Sequence, residues 1–344
     1  MTSINSDKRL PAEWERQRVV LMSFPHEDSD WNDLNDPVSL VDATSVHIRI
    51  AQSIAYSEPV YILCKNKEQI TKHFCNKQNM TFIEMPTNDT WIRDYGYISI
   101  KENNQTKLLD FTFDGWGGKF DASLDNSVNK TLHAKGYMAP FELEQIDFVL
   151  EGGSIESDGE GTILSTSKCL CHPNRNGGLS KDAIEERLNK YLGVKRVLWL
   201  DYGYLEGDDT DGHIDTLARF VNPETIVYVK CYDKDDNHYS ELSKMEKQLQ
   251  SFTTIEGKPY KLIALPMPKP ILDKDGNRLP ATYANFLITN KALLYPTYND
   301  KENDAKIGEI FKALFEDKEI IPIDARKLIE QGGSLHCATM QVAF

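Results

Sequence analysis

Short β-branched and aliphatic runs alternate with longer amphipathic stretches along the whole chain, and that alternation leaves few architectures open. Strand-like runs fall at residues 19–24, 60–64, 81–85, 107–113, 195–200, 225–230, 261–266, 292–296 and 319–323. Between them the spacing predicts helices. Residues 42–57 place Val46, Ile50 and Ile54 at steps of four, and residues 181–192 follow a Ser180 N-cap with Ile184, Leu188 and Leu192 on one face. Residues 303–315 offer an Asn303 cap and a face of Ile307, Ile310, Phe311 and Leu314. The class implied is α/β. Short polar or Gly-bearing segments also recur roughly 50–70 residues apart, at 25–27, 93–96, 151–154, 212–215, 283–286 and 332–334. Repeats of that size, each one supersecondary unit, suit a propeller whose loops meet at an axis.

At 344 residues the chain could hold two average domains, but no linker, low-complexity tract or charge block divides it. Residues 1–344 therefore read as one catalytic domain. The balance of 39 basic against 53 acidic residues gives a net charge of −14, without a basic stripe, so nucleic acid is not an expected partner. The polar first 15 residues lack the apolar core of a secretory signal, and the apolar run at 19–22 is far short of the ~20 residues that span a bilayer. Neither export nor membrane association is expected. The six cysteines (64, 75, 169, 171, 231 and 337) match no disulfide framework, which points to a reduced, cytoplasmic protein.

Two segments carry the chemistry. Cys337 lies in Gly332-Gly333-Ser334-Leu335-His336-Cys337-Ala338-Thr339 near the chain's end, and Gly207-Asp208-Asp209-Thr210-Asp211-Gly212-His213-Ile214-Asp215 sets four carboxylates around one histidine. A thiol, an imidazole and carboxylates supply a nucleophile, an acid/base and anchors for a cation, which suggests chemistry on a positively charged carbon centre such as a guanidinium. His213 and Asp215, two residues apart at the start of a strand, would share one face. A divalent-cation site is the competing reading, but no second His or Cys stands at metal spacing and the calcium-loop pattern is absent.

Trp91-Ile92-Arg93-Asp94 reads as the rim of a site, with an Arg93–Asp94 salt bridge as the plain alternative. Glu151 follows the apolar run 148–150 where a buried strand ends, ahead of Gly152-Gly153. A carboxylate buried there is costly unless paired. Cys169-Leu170-Cys171-His172 fails zinc spacing, and Gly115-Trp116-Gly117-Gly118-Lys119 lacks a phosphate loop's ending.

With Pro11-Ala12-Glu13-Trp14-Glu15, Trp91-Ile92-Arg93-Asp94, Leu150-Glu151-Gly152-Gly153-Ser154, Gly207 through His213 and His336-Cys337-Ala338-Thr339 in this order, the chain resembles the agmatine deiminases. These belong to the guanidine-modifying superfamily that also holds the bacterial-type peptidylarginine deiminases. The resemblance runs from about residue 11 to 341. It implies a pentein fold, a five-bladed α/β propeller of pseudo-symmetric ββαβ units. It further implies Cys337 as nucleophile, His213 as acid/base, Asp94 and Asp215 as the grip on the guanidinium, Glu151 beside the histidine and Trp91 against the substrate. Asp209 stands where the family usually has Glu, a position linked to the substrate's distal amine. Tyr95-Gly96-Tyr97 also departs from the usual Thr-Gly-Pro, and Gly332-Gly333-Ser334-Leu335 from a Gly-rich run ending Asn-Ile.

The implied reaction is hydrolysis of agmatine, a small cationic guanidine, to N-carbamoylputrescine and ammonia, in the chemistry of putrescine and polyamine synthesis. It would pass through a covalent cysteine thiouronium, with neither cofactor nor metal. Deimination of free or peptidyl arginine is the alternative in the same class. A non-catalytic guanidine-binding protein is the alternative outside it, against which Cys337 and His213 speak. Water is favoured over the acceptor of an amidinotransferase. A homo-oligomer stays open.

Overall fold

A computed structural model of the chain describes residues 8–33, 36 and 38–344. Among them lie sixteen strands in five separate small sheets. The first holds β1 (Gln17–Ser23), β2 (Val60–Cys64) and β3 (Met80–Glu84), the second β4 (Ile98–Glu102), β5 (Gln105–Thr112) and β6 (Glu142–Val149). The third is β7 (Ile155–Ser157), β8 (Thr162–Thr166) and β9 (Arg196–Leu200), and the fourth β10 (Ala218–Asn222), β11 (Thr225–Lys230) and β12 (Lys261–Pro266). The fifth is β13 (Leu287–Ile288), β14 (Ala292–Thr297) and β15 (Glu319–Asp324), while β16 (Met340–Ala343) returns to pair with β1.

One pattern governs the second to fifth sheets: an antiparallel pair, then a helical crossover to a parallel third strand. In the first, β16 supplies the antiparallel partner of β1 and two parallel strands follow. The pairings are local consequences of sequence. Asn103 and Asn104, both at positive φ, make the two-residue turn that joins β4 to β5. The crossover helix Lys181–Leu192 buries Ile184, Leu188 and Leu192, starts on the Ser180 hydroxyl and ends on left-handed Gly193. Ser39–Ala55 buries Ile50 and Ile54, with Val46 only half-buried.

Two expectations change. The last long helix is Lys301–Leu314, so Asn303 lies inside it and donates to Asp300 and the Met267 carbonyl instead of capping. Residues 25–27 follow β1, and His26 bonds the Thr87 carbonyl. The other recurrent segments each precede the first strand of a sheet, before β4, β7, β10, β13 and β16. Among the described residues no helix is long and apolar enough to cross a membrane.

Candidate active site

Those five segments meet one another. Before β4, the one-turn helix Ile92–Tyr95 carries Asp94, whose Oδ1 accepts the Gly153 N–H at 2.9 Å and whose Oδ2 accepts the Trp116 indole N–H at 2.9 Å. Glu151, before β7, is 1% exposed. It accepts the Arg175 Nε–H at 2.8 Å on one oxygen and contacts His213 Nε2 at 2.7 Å on the other. The opposite nitrogen of that ring, Nδ1, has no hydrogen-bond partner and stands 3.6 Å from Asp94 Oδ1.

Before β10 the backbone is a 3-10 turn, Ile214–Thr216, and not the strand start that was expected. Side-chain alternation therefore does not bring His213 and Asp215 together. They converge on Gly153: a Cβ built there would lie 2.6 Å from His213 Nδ1, 2.9 Å from Asp94 Oδ1 and 3.1 Å from Asp215 Oδ2. Glycine is needed at 153 because any side chain would fill the space between the three groups. Asp215 Oδ2 contacts His336 Nδ1 at 2.7 Å and lies 3.9 Å from Cys337 Sγ, leaving Oδ1 buried and unpartnered. Two buried polar atoms, Asp215 Oδ1 and His213 Nδ1, thus have no hydrogen-bond partner within the protein. Each can take a hydrogen bond from a water or a bound molecule.

The electrostatics follow from burial and neighbours. Burial, and then the charges of Asp215 and Asp94, push the Cys337 thiol well above its ordinary pKa. Burial works against a charged His213, but Asp94, Cys169 and Glu151 outweigh it and hold the imidazolium well above its ordinary range. Burial raises the Asp94 carboxyl to about 6 despite His213 nearby. For Glu151 burial is overcome by His213 and Arg175, and the carboxyl sits below its usual value.

A cavity of about 160 Å³ opens above these groups, lined by Trp91, Asp94, Trp116, Asp209 and Cys337 among others. The acidic run therefore divides. Asp209 lines the cavity and Asp215 lies beneath it against Cys337 and His336, while Asp208 caps the loop by accepting the Thr210 and Gly212 N–H groups and Asp211 pairs with Arg175 and Lys119. Arg93 does not bridge to Asp94; its guanidinium turns to the His336 carbonyl at 3.2 Å and lies 3.9 Å from Glu13.

Sequence reasoning passed over several residues here. Trp116 sits at φ 57°, ψ 49° between two glycines of positive φ, and this left-handed turn delivers its indole to Asp94. Cys169 lies 3.8 Å from Glu151, beneath His213. Behind Asp215, His336 Nε2 contacts Glu13 at 2.6 Å, and Arg219 pairs with Glu13 and Glu156. The recurrent segment at 283–286 was the available signal for one more, Asn285, which contacts Cys337. Among the described residues two clusters have donors close enough for a metal, Glu151 with Cys169 and His213, and Glu13 with Glu156 and His336. In each an arginine, Arg175 or Arg219, already supplies the positive charge.

Fold and site define a class: an α/β protein of small sheets whose connecting segments bring a buried thiol, an imidazole and several carboxylates to one cavity. The model for Porphyromonas-type peptidyl-arginine deiminase matches residues 9–343, and the chain belongs to that family. A C. jejuni agmatine deiminase, solved as a Cys-to-Ser variant with substrate bound, is 39% identical over 99% of this chain and 98% of that one, with a TM-score of 0.91. A Porphyromonas gingivalis protein provisionally called an arginine deiminase is 45% identical over 97% and 98%, also with a TM-score of 0.91. The agmatine deiminase of Medicago truncatula is 31% identical over 96% of this chain and 95% of its own length.

Proposed function

We propose that this protein hydrolyses agmatine to N-carbamoylputrescine and ammonia through a thiouronium formed on Cys337. One observation carries the substrate choice. Asp30, Asp89, Asp94, Asp209 and Glu330 line the cavity with Cys337, and no lysine or arginine does among the described residues. Such a wall favours a dication over an amino acid with a carboxylate.

In this reading Asp94 and the free Oδ1 of Asp215 take the guanidinium N–H groups by charge-assisted bonds, fixing its plane against Trp91. The cation replaces repulsion between the two carboxylates and the sulfur by attraction, so the thiol releases its proton to solvent as substrate binds and regains one when the product leaves. The sulfur adds to the guanidinium carbon, and Nδ1–H of His213 protonates the departing amine, releasing ammonia. Neutral His213 then takes a proton from water as it attacks the thiouronium, and the carbon–sulfur bond breaks to give the ureido product and the free cysteine. Glu151, held by Arg175, keeps His213 protonated for the first half. The five ββαβ units act as blades of one propeller over residues 1–344, each giving the segment before its first strand to the shared site. A reducing, cytoplasmic setting suits a site that needs Cys337 free.

The acid limb of the pH profile is the first expected result. Asp94 grips the cation only when ionised, and its carboxyl lies at about 6 in the empty site. Asp89, raised to about 7 by burial and by Asp30 and Asp94, lines the same wall. kcat/KM for agmatine should therefore fall as pH drops through 7 to 6, while kcat, read with the cation already bound, should fall less. Ammonia release measured across this range checks it, and a kcat/KM flat through pH 6 removes Asp94 from the grip.

Selectivity tests the substrate. Arginine is the second reading, and Lys119, beside Asp209, is a cation its α-carboxylate would call on. That ammonium is already engaged by Asp211 at 3.0 Å and by the Asp209 carbonyl at 2.5 Å. Asp209→Asn should lower kcat/KM for agmatine by about 1.5–3 kcal/mol, roughly tenfold or more, and raise the arginine-to-agmatine ratio. An unchanged ratio takes Asp209 out of the site. A parent enzyme faster on arginine than on agmatine favours the second reading.

A further inference from the structure

We propose that His336 is a positioning residue, an imidazole protonated on both nitrogens that bridges Asp215 to Glu13 and keeps one Asp215 oxygen free for the guanidinium, a role that rests on the grip proposed above. His336 is 1% exposed, one residue before Cys337. Its Nδ1 meets Asp215 Oδ2 at 2.7 Å and its Nε2 meets Glu13 Oε2 at 2.6 Å. The backbone of His336 is fixed as well: its N–H donates to Asn285 Oδ1 at 2.9 Å, and its carbonyl accepts Arg93 Nε–H at 3.2 Å. An ionised carboxylate only accepts, so each ring contact needs a hydrogen on the ring nitrogen or on the facing oxygen. A neutral imidazole carries a single N–H and can serve one of its two partners. The chain Asp215–His336–Glu13 therefore holds one proton more than a neutral ring between two carboxylates would.

The surroundings place that proton on the ring. Burial would raise the Glu13 carboxyl, but Arg219, His336 and Arg93 hold it far below the usual carboxylate range. A proton on Asp215 would cancel the charge that grips the cation. On the ring it balances the layer behind the thiol. Glu13 from the N-terminal segment, Glu156 from β7 and Asp215 from the turn before β10 meet Arg93 from the helix before β4, Arg219 from β10 and the His336 imidazolium, three negative charges against three positive. Burial, then Arg219 and Arg93, pull the ring's pKa down against Glu13 and Asp215. The contacts override that pull, because losing the proton would press a bare nitrogen lone pair against a carboxylate oxygen. With Oδ2 held by this N–H, the Asp215 carboxylate has a fixed plane, and its buried Oδ1 is the oxygen left without a partner.

Nuclear magnetic resonance of the whole protein, ¹⁵N-labelled only at histidine, reads the ring directly. The His336 signals, identified by their loss in His336→Asn, should show both nitrogens carrying hydrogen at about pH 7.5, where a solvated histidine is mostly neutral. If that variant does not fold, His213→Gln removes the other charged ring, and one doubly protonated ring should remain. A neutral His336 ring overturns the assignment whatever the substrate. Kinetics then separate positioning from packing. Asparagine sets its amide near the place of Nδ1 and can still donate to Asp215, whereas glutamine reaches the place of Nε2 and leaves Asp215 without a donor. With agmatine, His336→Gln should lose about tenfold or more in kcat/KM, mostly through KM, and His336→Asn should recover most of that loss. Equal losses in the two folded variants overturn the positioning role. A parent inert towards agmatine refutes the substrate alone; the ring's protonation is still read, and arginine takes agmatine's place in the comparison.

Discussion

Cys337→Ser should eliminate ammonia release from agmatine while leaving the protein folded. The substitution is nearly isosteric at a position only 6% exposed, so packing around it is preserved. What changes is the acidity of the nucleophile. Even the thiol is pushed well above its ordinary pKa by burial and by Asp215 and Asp94, and in the proposed mechanism the bound cation brings it within reach. A serine hydroxyl starts several units higher still, and the same cation cannot close that gap. Turnover within about tenfold of the parent would remove Cys337 from the chemistry. Iodoacetamide gives an independent view. Cys75 is exposed and should react without consequence, whereas loss of activity should follow labelling of Cys337 and be prevented by agmatine. Inactivation with Cys337 unlabelled would contradict the assignment.

His213→Gln should cost about 10²–10⁴ in kcat, the usual range for losing a general acid–base. Glutamine can still meet Glu151, which His213 now contacts at 2.7 Å, so the layer beneath the site keeps its hydrogen bond. It cannot carry a proton to the leaving amine or take one from water. Binding should survive, because Asp94 and Asp215 remain. The measurement that separates the roles is a single-turnover assay with KM determined alongside. Near-normal kcat with a raised KM would make His213 a binding residue. A burst of adduct on Cys337 without ammonia would place the block at leaving-group departure.

Much of the secondary structure could be read from the chain because the signals are local. The strands Val60–Cys64, Thr225–Lys230 and Lys261–Pro266 appear where aliphatic runs predict them, and Lys181–Leu192 begins and ends on its cap residues. Elements escaped where local signals were weak. Glu142–Val149 alternates polar residues through a strand, and Tyr239–Ser251 buries only Leu242, Met245 and Leu249 within a charged sequence. At the site, the motifs named Cys337, His213, Glu151, Asp94 and Asp215, and these converge. The motifs could not divide the run from 207 to 215, where neighbouring aspartates cap a loop, pair with arginine, line a cavity or face the thiol.

The sequence by itself determined the α/β alternation, the order of the motifs and the kinds of group on offer, because periodicity, capping and residue chemistry act over a few residues. Tertiary structure decided which of those groups meet. Cys337 is placed by the pairing of β16 with β1, which joins the two ends of the chain, and Asn285 reaches it across 52 positions. Asp94 is oriented by Trp116 of its own unit and by Gly153 of the next, and His213 by Glu151 across units. Burial, which sets the charge states of the thiol, the imidazole and the carboxylates, likewise exists only once five distant segments close over one cavity. No pattern within a single segment records it.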